Sequence, residues 1–378
     1  MNLSVLVGCL NNLDYTQHFY KTFRDVYPTI ELVFVSYGSD DWTNMWLDEL
    51  DDPNTITYWE EDRKTFSDTY NKAIELATKD YVVFLHNDIV VAPGFLENIE
   101  KYLNPKNVVS YTTIEPPIFA GHERPGKIIQ DFGTELGNFN TEKNFHEFVS
   151  YEQQNQENKT EPGITFFMAL SRKVLLDMGG FDNIFNPYFS EDDDLIKRLK
   201  LQNLNCFTSL DAICYHFVSK TSRFTEEAKL NTQRIERNSN RNFLRKWGSM
   251  NSNNKFNVGF IVKNCTEQLI EILEPWCDCL YYGGDPMGYW AKTYMDKEQS
   301  NTTFDLSDRI KYYDNEKNND ILVSFDGSKL DNNNFEIIKN LQNILANTSP
   351  GETYEIDIFN IYVHSPINYI KDLIFIQK

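Results

Sequence analysis

Tyr81-Val-Val-Phe-Leu-His-Asn-Asp88 is a short apolar run that ends in three polar side chains. A run of this length, rich in β-branched and aromatic residues, reads as a buried strand. It delivers His86, Asn87 and Asp88 at its carboxyl end. Similar runs at Ser4–Val7, Leu32–Val35, Thr55–Trp59 and Val108–Tyr111 are separated by helical patterns such as Phe66–Ala77. Strands alternating with helices imply a mostly parallel sheet. Ligands of such sheets bind beyond the carboxyl ends of the strands, which directs attention to Gly8–Asn12, Ser36–Asp41, Glu60–Arg63 and His86–Asp88.

A carboxylate at the end of a strand, such as Asp88, can hold Mg²⁺ or Mn²⁺ against a diphosphate. Asn-Asp after a strand is also ordinary turn chemistry. Further along, a strand over Gly163–Leu170 and a helix over Arg172–Met178 lead to Gly179-Gly-Phe-Asp-Asn-Ile-Phe-Asn-Pro-Tyr-Phe-Ser-Glu-Asp-Asp-Asp-Leu195. Its four acids, Glu191 to Asp194, open a helix over Asp192–Leu201. Capping and the helix macrodipole favour acids there, but account poorly for four in succession. Like-charge repulsion raises the pKa of at least one member of such a cluster, which suits a general base. A strand over Ala212–Tyr215 then ends in His216, and a lone His is more often a satisfied structural residue than a ligand.

The order of these pieces resembles the family 2 inverting glycosyltransferases. It runs strand–His-Asn-Asp, Gly-Gly-Phe-Asp, Glu-Asp-Asp-Asp-Leu and a strand ending in His. Val7-Gly-Cys-Leu-Asn11, Val35-Ser-Tyr-Gly-Ser-Asp-Asp-Trp-Thr43 and Phe66-Ser-Asp-Thr-Tyr-Asn-Lys-Ala73 stand where that family has its first strand end, its acidic turn and its Asn-containing helix. The likeness covers residues 3 to 223. It implies an α/β fold with a GT-A type, Rossmann-like, mostly parallel sheet flanked by helices, and a metal-dependent, hexosyltransferase-like activity. A sugar would pass with inversion from a nucleotide-sugar donor to the hydroxyl of a carbohydrate or glycoconjugate acceptor, as in polysaccharide biosynthesis.

Carried over residue by residue, the resemblance makes Asp88 the last acid of a D-x-D-like motif and a metal ligand, with His216 as a second. Asp192 becomes the catalytic base, with Glu191 as its substitute. Nucleotide-sugar contacts fall to Leu10, Tyr37, Asp68, His86 and Asn87. Oxygen ligands with one imidazole fit Mn²⁺ or Mg²⁺. His86 stands where the family often has the first Asp, and Ser36-Tyr37 where an Asp often reads the base.

A chain of 378 residues with 41% hydrophobic content exceeds one core and suggests two domains. The expected division is a GT-A domain over 1–250 and a smaller α/β domain over 255–378, parted by the polar stretch Gly248–Asn254. In the second, Val258–Val262, Cys279–Tyr282, Ile310–Tyr313, Ile321–Phe325 and Tyr354–Val363 read as strands and Phe335–Ala346 as a helix, with no phosphate loop or metal cluster. Thr225–Trp247 reads as a helix with a solvated basic face. The polar segment Gly121–Pro162, with Arg124 and Lys127, reads as a loop, either over the active site or on the surface.

A net charge of −20 argues against broad attraction to nucleic acid or anionic lipid. Six scattered cysteines without a C-x-x-C pair suggest reduced thiols. With no basic segment before Leu3 and no run of about 18 apolar residues, the expectation is a cytoplasmic protein without a transmembrane segment, acting near a membrane where acceptors are made. Ser36 and His86 keep open a degenerate, non-catalytic carbohydrate-binding or scaffold protein. A sugar-nucleotidyltransferase would place a Gly-rich basic loop where Gly8-Cys-Leu-Asn-Asn12 stands.

Overall fold

The chain was analysed as a computed structural model, which describes residues 1–119, 123–139, 142–218, 226–285 and 287–376. It divides into two compact units, residues 1–234 with 376–378, and residues 235–375.

In the first unit, β1 (Leu3–Cys9), β2 (Glu31–Tyr37), β3 (Thr55–Glu60) and β4 (Tyr81–His86) pair in parallel in the order β3-β2-β1-β4. Helices α1 (Leu13–Val26), α2 (Thr43–Glu49) and α3 (Phe66–Leu76) make the crossovers. Val5–Val7, Leu32–Val35 and Val82–Leu85 have no exposed side-chain surface, and burial of each Val, Leu or Phe contributes ~1.5–3 kcal/mol. The near-continuous apolar runs of the sequence are therefore those of strands covered on both faces.

The sheet continues through β5 (Ile89–Val91), β6 (Asn107–Glu115), β7 (Lys127–Ile129), β8 (Thr160–Pro162), β9 (Met168–Ser171) and β10 (Asn205–His216). Its path runs β4-β9-β6-β10-β5, with β7 beside β6 and β8 beside β10. β9 is antiparallel to both β4 and β6. Residues 165–167, just ahead of β9, therefore lie at the same sheet edge as the carboxyl ends of β4 and β6. The remaining helices are α4 (Phe95–Glu100), α5 (Glu142–Asn155), α6 (Arg172–Met178), α7 (Glu191–Leu201) and α8 (Glu226–Trp247).

Segment 121–162, expected to be a loop, carries β7, the 14-residue α5 and β8 in its described part. Among the described side chains of α5, Phe145 and Val149 alone are fully buried, packing with Phe132 and Tyr215, so the helix gives little apolar periodicity. The expected strand over Gly163–Leu170 is confined to Met168–Ser171.

Gly179-Gly180 ends α6 with φ of +82° and +73°. A Cβ on Gly180 would fall 2.1 Å from the Asn71 side-chain oxygen. Asn71 of α3 holds Phe181 through both backbone groups, at 2.8 and 2.9 Å. The Asn-containing helix and the Gly-Gly-Phe-Asp motif are thus one docked assembly.

The second unit holds β11 (Val258–Lys263), β12 (Cys279–Tyr282), β13 (Ile310–Tyr312), β14 (Ile321–Asp326), β15 (Thr353–Ile356) and β16 (Phe359–Val363) in the order β13-β12-β11-β14-β16-β15. The first four are parallel and the last two form an antiparallel hairpin. Helices α9 (Glu267–Leu273), α10 (Tyr289–Glu298), α11 (Leu306–Arg309) and α12 (Asn332–Ile344) complete it. The single strand expected over Tyr354–Val363 is two, because Asp357 turns the chain at φ +51°.

The units part inside α8, between residues 234 and 235, upstream of the polar stretch at 248–254. Thr225, the expected start of that helix, lies outside the described residues. Its basic face is not solvated throughout: Arg241 and Arg245 are buried and pair with Glu274 and Glu298 from other elements.

Candidate active site

The carboxyl ends of β1, β4, β6 and β10 open into a cleft of about 740 Å³. Backbone pairing decides what stands there. Gly8 of β1 is paired with His86 of β4, and any Cβ on Gly8 would come within 3.0–3.3 Å of Thr69 and Tyr70 in α3. His216 is paired with Ile89 of β5, directly after Asp88, while Tyr215 is paired with Ile114 of β6. These two registers bring His216 between Asp88 and Glu115.

His86, Asp88 and His216 each present one ligand atom, all within 4.8 Å of one another. His216 Nε2 lies 3.3 Å from Asp88 Oδ1 and 3.5 Å from His86 Nδ1. Aromatic rings wall both imidazoles: His86 stacks on Phe166 at 4.9 Å, and His216 meets Phe167 edge-on at 4.9 Å. Burial and then the charge of His216 lower the His86 pKa to about 4, leaving a neutral imidazole with a free pair. Burial alone would lower His216 too, but the Asp88 and Glu115 carboxylates outweigh it and hold it up at about 9. Burial opposes ionisation of Asp88, yet the neighbouring imidazoles lower its pKa.

These residues fit a divalent cation. Two imidazoles and a carboxylate form a donor set suited to Mn²⁺ and its transition-metal neighbours, and His86 Nε2 is a buried polar atom without a partner. His86, expected among the nucleotide-sugar contacts, is also one of the three residues of this candidate metal cluster.

Opposite lies α7, where the four acids divide their work. Asp194 is wholly buried and bound to Arg198 at 2.7 Å, and Arg198 also donates to Gly180 O at 2.7 Å. That pair is structural. Asp193 faces outward. Glu191 and Asp192 line the cleft. Glu191 is 6% exposed and its Oε2 has no partner. Burial first, then the three adjacent acids, push its pKa well above the ordinary range. Burial and Asp193 raise Asp192 to about 6. Phe189 and Ser190 deliver this helix with φ of +75° and +65°, and Val218 beyond His216 has φ +61°. Left-handed backbone at non-glycine residues is costly, and it clusters at functional sites.

Leu10, Tyr37 and Asn87 also line the cleft. Asn87 donates to Thr16 Oγ1 at 2.9 Å. Tyr37 lies edge-on to Tyr58, with the Lys64 ammonium over its face at 4.4 Å. Ser36 is buried and donates to Asn44 Oδ1 at 2.7 Å, bracing the turn into α2. Asp68 is not among the lining residues. Its carboxylate closes the capping box of α3 with Thr65 and accepts from Asn183 Nδ2 at 2.5 Å, so both oxygens are engaged.

Glu115, Phe166, Phe167 and Lys64 are among the lining residues that were not singled out as site residues from the sequence. Glu115 is a charged residue at a strand's carboxyl end, the signal that marked Asp88. Arg63, Arg124 and Lys127 had been seen only as polar segments, and they bring positive charge to the cleft.

The cleft at the strand ends of this mostly parallel sheet thus gathers the imidazoles and carboxylate of His86, Asp88 and His216 with the carboxyls of Glu191 and Asp192. Residues 4–179 match the model of glycosyl transferase family 2. No curated protein matches the chain. Similar solved structures include a mannosyltransferase from Pyrobaculum calidifontis in complex with GDP-Man and Mn²⁺ (20% identity, 64% of this chain, 62% of that one, TM-score 0.42). TarS 1-349 of S. aureus gives 16%, 57%, 60% and 0.41, and GalNAc-T7 with UDP, GalNAc and Mn²⁺ gives 12%, 57%, 43% and 0.43. The chain spans 62% or less of the length of these three structures. Among the described residues, no helix is long and apolar enough to cross a membrane.

Proposed function

We propose that the first unit transfers a sugar, with inversion, from a nucleoside-diphosphate donor to a hydroxyl of a carbohydrate or glycoconjugate acceptor. The observation that carries this reading is one cleft holding His86, Asp88 and His216 together with the carboxyls of Glu191 and Asp192, of which Glu191 Oε2 has no partner. Asp88, His216 and His86 would hold Mn²⁺, which when bound supplies positive charge against the departing diphosphate.

In the proposed single displacement the acceptor oxygen bonds to the anomeric carbon, the bond from that carbon to the phosphate oxygen breaks, and the acceptor proton passes to Asp192. A pKa near 6 leaves that carboxylate mostly ionised at pH 7 while keeping it basic enough to accept a proton. Arg63 and Lys64 add positive charge at the end of the cleft that Tyr37 lines. Phe166 and Phe167 exclude water from the imidazoles, which strengthens the charge interactions among them.

The test is sugar transfer and donor hydrolysis with a panel of nucleotide sugars, with Mn²⁺, with Mg²⁺ and with chelator, for wild type, Asp88→Ala and Asp192→Asn. Turnover of one donor that needs Mn²⁺ and is lost in both variants is expected. Turnover that persists in Asp192→Asn would overturn the assignment of the base. Donor binding without turnover in wild type, whatever the acceptor, would favour a binding protein.

A further inference from the structure

Glu115 lies behind the metal cluster, buried to all but 5% of its surface, and four groups converge on it. His216 Nδ1 lies 3.4 Å from its Oε1. Thr113 Oγ1 donates to the same oxygen at 3.1 Å, Arg124 makes a close ion pair with it, and the Lys127 ammonium lies 3.3 Å from Oε2. The sheet sets most of this arrangement. Glu115 and Thr113 share β6, His216 is on the paired strand β10, and Lys127 begins β7, where it is in register with Thr113. Arg124 is braced over the Phe167 ring at 5.3 Å. Phe167 in turn meets His216 edge-on.

Arg124, Lys127 and Thr113 all meet the Glu115 carboxylate as donors, so it stands as an acceptor and the nitrogen of His216 that faces it carries a hydrogen. That leaves Nε2 as the nitrogen turned toward Asp88 and His86. We infer that Glu115 is the positioning residue of the metal site: clamped by Arg124, Lys127 and Thr113, it fixes the His216 ring so that Nε2 faces the cation, which would take the place of the proton there. The inference rests on the metal reading of the cleft. It assigns Arg124 and Lys127, seen in the sequence only as a basic spot, to holding this carboxylate in place. A carboxylate on the far nitrogen of a ligating histidine orients the ring and raises its basicity, and loss of such a partner costs 10–100-fold in metal affinity.

The experiment has two readouts on full-length protein. The first is Mn²⁺ affinity, measured by electron paramagnetic resonance on wild type, Glu115→Gln and Glu115→Ala. The second is the exchange rate of the His216 Nδ1–H proton in metal-free, ¹⁵N-histidine-labelled protein, assigned by its absence in His216→Asn. The expected result is a slowly exchanging proton in wild type that is lost in Glu115→Ala, with Mn²⁺ bound ~10–100-fold more weakly. Glu115→Gln, which keeps an acceptor but not the charge and disturbs the fold least, should fall between. Unchanged Mn²⁺ affinity in both variants, or a wild-type proton that exchanges freely, would overturn the role of Glu115 and leave the metal site standing. Wild-type protein that binds no Mn²⁺ would remove the metal site and, with it, this inference.

Discussion

Two buried groupings of charge, one in each unit, are built to opposite standards. In the second unit Glu274 is wholly buried and accepts from Arg245, Arg309 and Tyr294. Glu298 accepts from Arg241 and Arg245. Its guanidiniums also reach backbone carbonyls: Arg241 donates to Glu271 O, and Arg309 to Glu274 O and Cys277 O. Burial opposes its ionisation, but Arg309 and Arg245 lower the Glu274 pKa to about 2. In the first unit, the cleft leaves Glu191 Oε2 and His86 Nε2 unpartnered, and burial raises Glu191 and Asp192 rather than lowering them. A satisfied network fixes a structure. Unpaired polar atoms in a cleft store binding capacity for something that arrives, and the protein tolerates their cost because a ligand completes them.

The comparison is broken most directly at Asp192. Asp192→Asn should lower turnover ~10²–10⁴-fold, the usual worth of a positioned base, with no loss of thermal stability, because the amide replaces a carboxyl that burial already disfavours as an anion. Equal losses of turnover and melting temperature would show that Asp192 is structural. Glu274→Ala is the mirror experiment. It strips the acceptor from two buried guanidiniums and should cost about 3–5 kcal/mol of unfolding free energy in urea titrations. An unchanged midpoint would mean that water replaces the carboxylate at no cost and that the second unit is looser than its hydrogen bonds indicate.

What the sequence showed and what it hid follow the same division. β1, β2, β4 and the acids after β4 were legible because strands buried on both faces read as apolar runs, and because Asp88 follows one immediately. Glu115 was not, since the run over Val108–Tyr111 continues as Thr112 and Thr113, which are polar yet buried, and its true end was passed over. Helix α5 was hidden because, among its described side chains, it fully buries only two apolar ones. Arg241 and Arg245 were read as a solvated face because their partners stand 29 to 57 residues away. Four acids in succession announced a site, but only packing shows that Asp194 belongs to Arg198 while Glu191 and Asp192 belong to the cleft.

Glu191→Gln sharpens the comparison with a smaller effect. A carboxyl whose folded pKa is raised above its unfolded value binds more protons folded than unfolded. Its contribution to stability therefore declines as pH rises from the unfolded value, near 4.5, through the folded one. The amide removes that decline, so the variant should match wild type in acid and unfold at equal or higher denaturant at pH 8, by up to about 1 kcal/mol. Greater stability of wild type at pH 8 would mean that Glu191 is ionised and paired, as Glu274 is.

The smallest effect expected is in the pH profile. Asp192 must be ionised to accept a proton, and its pKa is raised to about 6, so kcat/KM should fall tenfold per pH unit below about 6 and level off above it. An unshifted aspartate near 3.9 would put that limb about two units lower, so its position reports directly on whether burial and Asp193 act on Asp192 in solution. In Asp193→Asn the limb should move toward lower pH, because the repelling charge is gone while the burial remains. A limb that stays in place in Asp193→Asn would assign the shift to burial alone, and a limb that survives in Asp192→Asn would assign it to another group in the cleft.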